Sequence, residues 1–442
     1  MLLRMPGDSL GSSRAPIVAN ATLWVVLGLV FANLLFNLGA SSVHAGYPYT
    51  SFLSLPGDRF ADFFKLAFSY PGAPIHPAAD FWHLDDLLAH HMAEVKLYEG
   101  TNVNHFHEPP LPTLFAVTAR WLMTLIDPVL LFLGLLVAAF ASLFATVLRV
   151  APAGRSGVAF ATVTILSYPA LLAIDRGHLF SIVCASLMIA ATFRTLRGKA
   201  DGWTILMFAI ALNLRPNMGI VPFVLLFGRQ GLSFRHAVWL GIATILLFAG
   251  TMALAHLLYP AYSYASFLRG LAQYGMAYAG GDNGYANGSS IYGMIRASLG
   301  YAWWMPFVPF IVCALFLAPA ILESRAGRLR HSECLFLTFC AYVLGSHVFA
   351  DYHLLGFMIP LILVAREDGP IDLSAWTIAI ASALMLAPKN FVFEFHGNTA
   401  WSWQVIANPL ILLTSSALVL WAAWQRNRIA RNQPAIEAPI VA

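Results

Sequence analysis

Long apolar runs alternate along the chain with short breaks that hold most of its charge. Runs able to form helices lie at 17–40, 129–149, 157–174, 179–193, 203–213, 217–228, 237–258, 304–322, 333–350, 354–365, 371–388 and 403–424. Crossing the hydrocarbon of a bilayer takes about 20 apolar residues as a helix, and outside a closed barrel only a helix satisfies its own backbone there. The pattern therefore predicts a polytopic helical membrane protein. Several runs are too short to cross alone. Those at 203–213, 217–228 and 354–365 are expected to be broken, tilted or re-entrant, as happens where backbone lines a protein-enclosed cavity. The first run exceeds a signal-peptide core of about 7–15 residues and reads as a retained helix, with the small residues Gly39 to Ser42 leaving cleavage open.

Composition agrees with this class. Hydrophobic residues make up 59% and charged residues 10% of the chain, and mean hydropathy is +0.71, whereas a soluble globule carries about 25% charged residues. One polytopic domain is expected over 1–424, with no internal repeat, low-complexity tract or soluble domain, and a disordered tail over 425–442. Cys184, Cys313, Cys334 and Cys340 lie within apolar runs and read as small packing residues.

The net charge of +4 comes mostly from arginines in the breaks, so it reports orientation and not nucleic-acid binding. Arg4 and Arg14; Arg149 and Arg155; Arg194, Arg197 and Lys199; Arg229 and Arg235; Arg325, Arg328 and Arg330; Arg366; and Arg426, Arg428 and Arg431 fall on alternate loops. By the positive-inside rule these loops and both termini are cytoplasmic. The long segments 41–128 and 259–303 then face the other side. Of the 14 His, only His236 and His331 fall in the arginine loops. The working face is expected to be extracytoplasmic.

The most polar stretch is Asp80 to Pro112, which carries Asp80, Asp85 and Asp86. DDLLAHHMAEVKLYEG reads as a helix lying along the membrane surface, with Leu87, Leu88, Met92, Val95 and Leu97 as its apolar side. Its acidic pair sits near the N-terminus, where the helix dipole favours a carboxylate, and Gly100 is placed as its stop. One reading is a capped interfacial helix with solvated charges. The other makes one carboxylate a general base that takes the proton of an attacking hydroxyl. In NHFHEPPLPTLF, Pro109, Pro110 and Pro112 stiffen the entry into an apolar stretch at 111–124, holding His105, His107 and Glu108 near the outer surface. His90, His91, His105 and His107 leave a divalent metal site open, although no HExxH spacing is present.

Further candidates lie at breaks on the same predicted face. Asp175-Arg176-Gly177-His178 sits between two apolar runs, where Gly177 also suits a tight turn. Arg215-Pro216-Asn217 separates two short runs. An arginine near membrane depth is a functional candidate by default, and its planar fork suits a phosphate. The loop 259–303 is rich in Gly, Asn, Ser and Tyr, with Asn287-Gly288-Ser289-Ser290 ahead of Arg296. It reads as a flexible outer loop, or as one that orders over bound substrate. His347 and the run Asp351-Tyr352-His353 close a further outward turn, with structural and ligand-binding roles both open.

DDLLAHHMAEV followed by HEPPLPTLF resembles the first extracytoplasmic loop of the GT-C glycosyltransferases, multi-span enzymes that use polyprenyl-phosphate sugars. Asp86, Gly100 and Pro109-Pro110 resemble the bacterial polyprenol-phosphate-mannose-dependent branch. Asp85-Asp86 and Glu108-Pro109-Pro110-Leu111 resemble the protein mannosyltransferase and aminoarabinose transferase branch. Arg176-Gly177-His178 is similar to a Gly-Gln-Xaa-Asn step of the first branch, with His178 in place of Gln. Asn287 to Arg296 and the His347 and His353 region also have counterparts there.

The resemblance implies a GT-C-like all-α bundle of about 10–13 spans with surface-lying helices in the first outer loop. It implies transfer of a hexose, mannose foremost, from a polyprenyl phosphate to a lipid, glycan or protein acceptor, with inversion. Asp86 would be the base, with Asp85 or Asp80 as fallback, and Arg215, Arg176 and Arg296 would hold the phosphate. No cofactor and no nucleic acid are called for, and the location expected is a bacterial plasma membrane. The rival expectation is a transporter or lipid flippase, which would explain many spans and an intramembrane Arg. A ligase of surface polysaccharide is a third.

Overall fold

The computed structural model describes residues 14–43, 60–70, 89, 108–274, 288–300, 302–347, 349, 351–368, 370–389, 392–395 and 399–432. In chain order the helices are α1 (Arg14–Val43), α2 (Ala61–Phe68), α3 (Pro110–Leu122), α4 (Pro128–Val150), α5 (Arg155–Leu166), α6 (Tyr168–Arg176), α7 (Leu179–Leu196), α8 (Gly202–Leu214), α9 (Ile220–Phe227), α10 (Phe234–Leu258), α11 (Tyr264–Tyr274), α12 (Ile291–Leu299), α13 (Val308–Arg325), α14 (His331–Leu344), α15 (Met358–Arg366), α16 (Leu373–Leu386) and α17 (Gln404–Asn432). Short polar caps start many of them. Asp127 accepts from the Val129 and Leu130 N–H groups, with Pro128 as the first helical residue, while Asp201 and Asp372 cap α8 and α16 in the same way.

Among the described residues, six helices are long and apolar enough to cross a membrane: α1, α4, α7, α10, α13 and α17. The pair α5 and α6, bent by 42° at Ser167, makes a seventh when taken as one broken span. The chain is an integral membrane protein built from helices. One addition to the all-α expectation is an antiparallel hairpin of β1 (Val392–Phe395) and β2 (Thr399–Ser402), pairing Val392 with Ser402 and Phe395 with Thr399. Four-residue strands are too short to stand out in a hydropathy pattern.

Most of the long helices form the shell, while α7 and the short α14, α15 and α16 form the core. Only 11% of the α10 span and 22% of the α4 and α13 spans is buried, and their bulky apolar residues face outward. By contrast, every residue of α14 after His331 is buried, as are the first eight of α15. Such all-round apolar helices belong inside a bundle. Two of the breaks expected in short runs fall in or beside this core. A 3₁₀ turn at Pro216–Gly219 joins α8 to α9, and another at Asp351–Phe357 leads into α15. Backbone freed at the second turn is enclosed by protein, with all but Tyr352 of its residues buried.

Arginines from distant breaks converge on one end of the bundle. Arg14 meets Glu367 at 3.2 Å, Arg330 meets Asp372 at 2.8 Å, and Arg426 meets Glu333 at 2.7 Å and Asp372 at 3.4 Å. Arg366 donates to the Val150 carbonyl at 2.9 Å. Arg426 and Asn427 are held by these contacts and by the Arg328 carbonyl, so α17 continues to Asn432. Residues 425–432, expected to be disordered, are therefore helical.

Glu333 is fully buried and also accepts the Arg330 N–H at 2.8 Å, closing the first turn of α14. Glu333→Gln is expected to cost about 2 kcal/mol. That is below the 3–5 typical of a broken buried pair, because Arg426 keeps Asp372 and contact with water. A lowered thermal midpoint of the purified protein checks it; an unchanged midpoint would mean that the pair contributes nothing net.

Candidate functional site

The opposite end gathers several of the polar residues singled out by sequence. It starts with α2, whose ADFFKLAF octet has one strongly apolar face. Phe63 and Phe64 pack there with Ala119, Met123 and Phe132, docking α2 against α3 and α4. Phe60, Phe63 and Phe64 surround the Phe132 ring at 4.7, 4.9 and 5.6 Å between centroids. The Phe60 N–H donates to the Asp175 carbonyl at 2.6 Å, which ties the start of α2 to the end of α6. Gly177 makes this approach possible: it ends α6 in the left-handed region at φ +70°, and a Cβ there would lie 2.9 Å from the Phe60 Cα.

The turn after α6 presents His178, the N-cap of α7. Its Nδ1 accepts the Ser181 N–H at 3.2 Å and lies 3.0 Å from Ser181 Oγ, and Arg215 Nη2 lies against its Nε2. A buried imidazole beside an arginine is neutral. Burial and the Arg215 charge both push its pKa well below the usual histidine range. The ring also lies 4.2 Å from that of Tyr352, and the Arg215 guanidinium is 6.0 Å from the Tyr352 centroid. Arg215 thus occupies the break between α8 and α9, held by an imidazole and an aromatic face. His353 follows, its ring 4.8 Å from that of Tyr352, buried with no hydrogen-bond partner at either ring nitrogen among the described residues.

Two carboxylates lie within the field of Arg215. Glu108 precedes the proline-led start of α3, and its carbonyl accepts from Tyr262 Oη at 2.8 Å and Thr113 Oγ1 at 3.4 Å. Asp62 on α2 is half-buried and lies in the positive fields of Arg176 and Arg215 and the negative field of Glu108. Burial outweighs the two arginines and raises the Asp62 carboxyl to about 6. A carboxylate near neutrality beside arginines is the chemistry of an acid–base group next to an anion site.

Glu108, Arg176, His178, Arg215 and His353 therefore share one region. A second group lies towards α12 and α13. Asp351, fully buried, accepts from Ser289 Oγ at 2.5 Å, and Asn408 donates to the same hydroxyl at 2.7 Å. Arg296 donates to Tyr292 Oη at 3.2 Å, and His347 Nε2 donates to the Pro306 carbonyl at 2.8 Å. Asp80, Asp85, Asp86, His105, His107 and Asn287 lie outside the described residues, as do the four-histidine set and, apart from Ala89, the proposed surface helix at 85–100. Among the described residues, no group of three or more His, Cys, Asp or Glu is arranged to hold a metal ion.

Asp62 is the site residue that the sequence reading passed over. Its signal was a single acid in an amphipathic apolar octet soon after the first span. Comparison with family models, with curated proteins and with solved structures found no match.

Proposed function

We propose that the chain is a membrane glycosyltransferase that moves a hexose, mannose foremost, from a polyprenyl phosphate to a lipid, glycan or protein acceptor, with inversion. Its site would face the extracytoplasmic side of a bacterial plasma membrane, with both termini cytoplasmic and the short core helices bringing the span count to about 10–13. The observation that carries this reading is Arg215, set in a helix break within the bundle and opposed by the carboxylates of Asp62 and Glu108.

In such a transfer the bond from the sugar C1 to the phosphate oxygen breaks, and the lipid phosphate leaves with increased negative charge. Arg215 and Arg176 supply fixed positive charge for it. The acceptor hydroxyl loses its proton to a carboxylate as it attacks. Asp62 is one such base within the described residues; Asp86, with Asp85 or Asp80 behind it, is the other. A transporter would instead carry its polar groups through the midplane, whereas the charged groups described here gather at the arginine-rich end and around Arg215.

Transfer from radiolabelled polyprenyl-phosphate mannose by the purified protein tests this, comparing wild type with Asp62→Asn and Asp86→Asn. One of the two is expected to lose about 10²–10⁴-fold. If Asp62 is the base, wild-type transfer also falls as pH drops through about 6, where its carboxyl becomes protonated. Normal transfer by both variants would remove the carboxylate assignment. Solute uptake into liposomes without any transfer would favour the transporter.

A further inference from the structure

A second site lies at the arginine-rich end, between the C-terminal turn of α13 and the last turns of α17. A cavity of about 480 Å³ opens there, with Glu323, Arg328, Trp424, Asn427 and Arg428 on its walls and Leu420 at its apolar side. Leu329 and Ala423 belong to a small apolar cluster with Ala320, Cys334 and Leu337, so the floor is packed protein. Asn427 Nδ2 and Arg426 Nη2 donate to the Arg328 carbonyl at 3.1 and 3.4 Å, which fixes one wall to α17. The cavity is a built feature.

Its charge is uneven. Arg328 is neutralised by Glu323 at 3.1 Å. Arg428 lies over the exposed ring of Trp424 at 5.5 Å, with no carboxylate within salt-bridge distance among the described residues. Two Arg against one Glu leave the lining at +1. Below the cavity, Leu322, Leu418 and Trp421 are exposed on the flanks of α13 and α17. A charged pocket above two apolar strips, with a Trp at the boundary, has the layout of a lipid: phosphate above, acyl chains below.

We infer that this cavity binds the phosphate headgroup of an anionic bilayer lipid, held by Arg428 against Trp424, with its acyl chains along α13 and α17. The site does not depend on the transferase reading. It lies at the other end of the bundle from Arg215 and uses none of the same residues. Of the arginines that converge here, Arg14, Arg330 and Arg426 are bound to acids of the protein. Arg428 keeps its charge for a ligand.

The full chain in nanodiscs tests this by its thermal midpoint in phosphatidylcholine alone and with added phosphatidylglycerol. The anionic lipid is expected to raise the wild-type midpoint, because a ligand that binds only the folded state stabilises it. Arg428→Gln should lose most of that rise, with apparent lipid affinity about fivefold weaker. Arg155→Gln, which removes another exposed arginine from a predicted cytoplasmic loop, should keep it. Both side chains are exposed, so the midpoint in neutral lipid should be unchanged. An equal rise in Arg428→Gln, or an equal loss in Arg155→Gln, would overturn the site. So would inorganic phosphate in detergent reproducing the full effect, since the ligand would then be free phosphate and not a lipid.

Discussion

Replacing Arg215 by Gln is expected to lower sugar transfer by about 10²–10³-fold, the usual effect of deleting one preorganised donor to developing negative charge. Its position gives the reason. Arg215 caps α8 in extended backbone and is followed by a proline-led 3₁₀ turn, so it is held by the chain and not by a flexible tether. His178 and Tyr352 hold the guanidinium on one side. Arg215→Lys should recover only part of the loss, because Lys supplies a charge without the planar fork. Thermal midpoints of both variants separate a lost contact from a lost fold. Transfer by a folded Arg215→Gln within about threefold of wild type would remove Arg215 from the transition state. A matched loss in Asp62→Asn but not in Arg215→Gln would point to acceptor activation without phosphate binding at this arginine.

How much of this could be read from sequence depends on whether the signal is local. Arg215 and His178 stood out because each interrupts an apolar run, where a polar group must have a purpose. The short runs at 203–213 and 217–228 foretold a break for the same reason, and the break is where the chain turns into 3₁₀ helix. Asp62 was different: an acid in ADFFKLAF has an ordinary explanation as the polar face of a surface helix. Its closeness to Arg176 and Arg215 comes from Phe63, Phe64 and Phe132 packing and from the Phe60 to Asp175 hydrogen bond. Those contacts join residues far apart in the chain. The arginine loops were likewise readable as one end, while their pairing with Glu333, Glu367 and Asp372 was not.

The division between shell and core follows from the same physics. A helix that faces lipid must be long enough to cover the hydrocarbon alone, and α4, α10 and α13 are. A helix enclosed by others escapes that demand, so the buried α15 can be short and start from a turn that is itself buried in protein. Charged side chains can therefore reach into the bundle where the core helices break. Arg215 and the Tyr352-His353 pair lie at two such breaks, on chains that meet at the neutral imidazole of His178.

Gly177→Ala should be the most damaging single-methyl change tested. The residue has φ +70°, and a Cβ would meet Phe60 Cα at 2.9 Å and both Phe60 O and Phe63 Cβ at 3.0 Å. The left-handed backbone costs a non-glycine residue about 1–2 kcal/mol, and overpacking against backbone adds about 1–3 kcal/mol. Phe60 cannot yield easily, since it is itself left-handed at φ 55° and bonded to Asp175. The response open to the protein is to push α2 outward, which carries Asp62 away from Arg176 and Arg215. Gly198→Ala is the matched control: φ is +71° with nothing within 4 Å of an added Cβ, so it carries the backbone cost alone. The expected result is a larger fall in thermal midpoint for Gly177→Ala, with transfer reduced even well below that midpoint, while Gly198→Ala transfers normally. Equal midpoints and equal transfer in the two variants would mean that the α2 contact at Gly177 neither stabilises the fold nor positions the site.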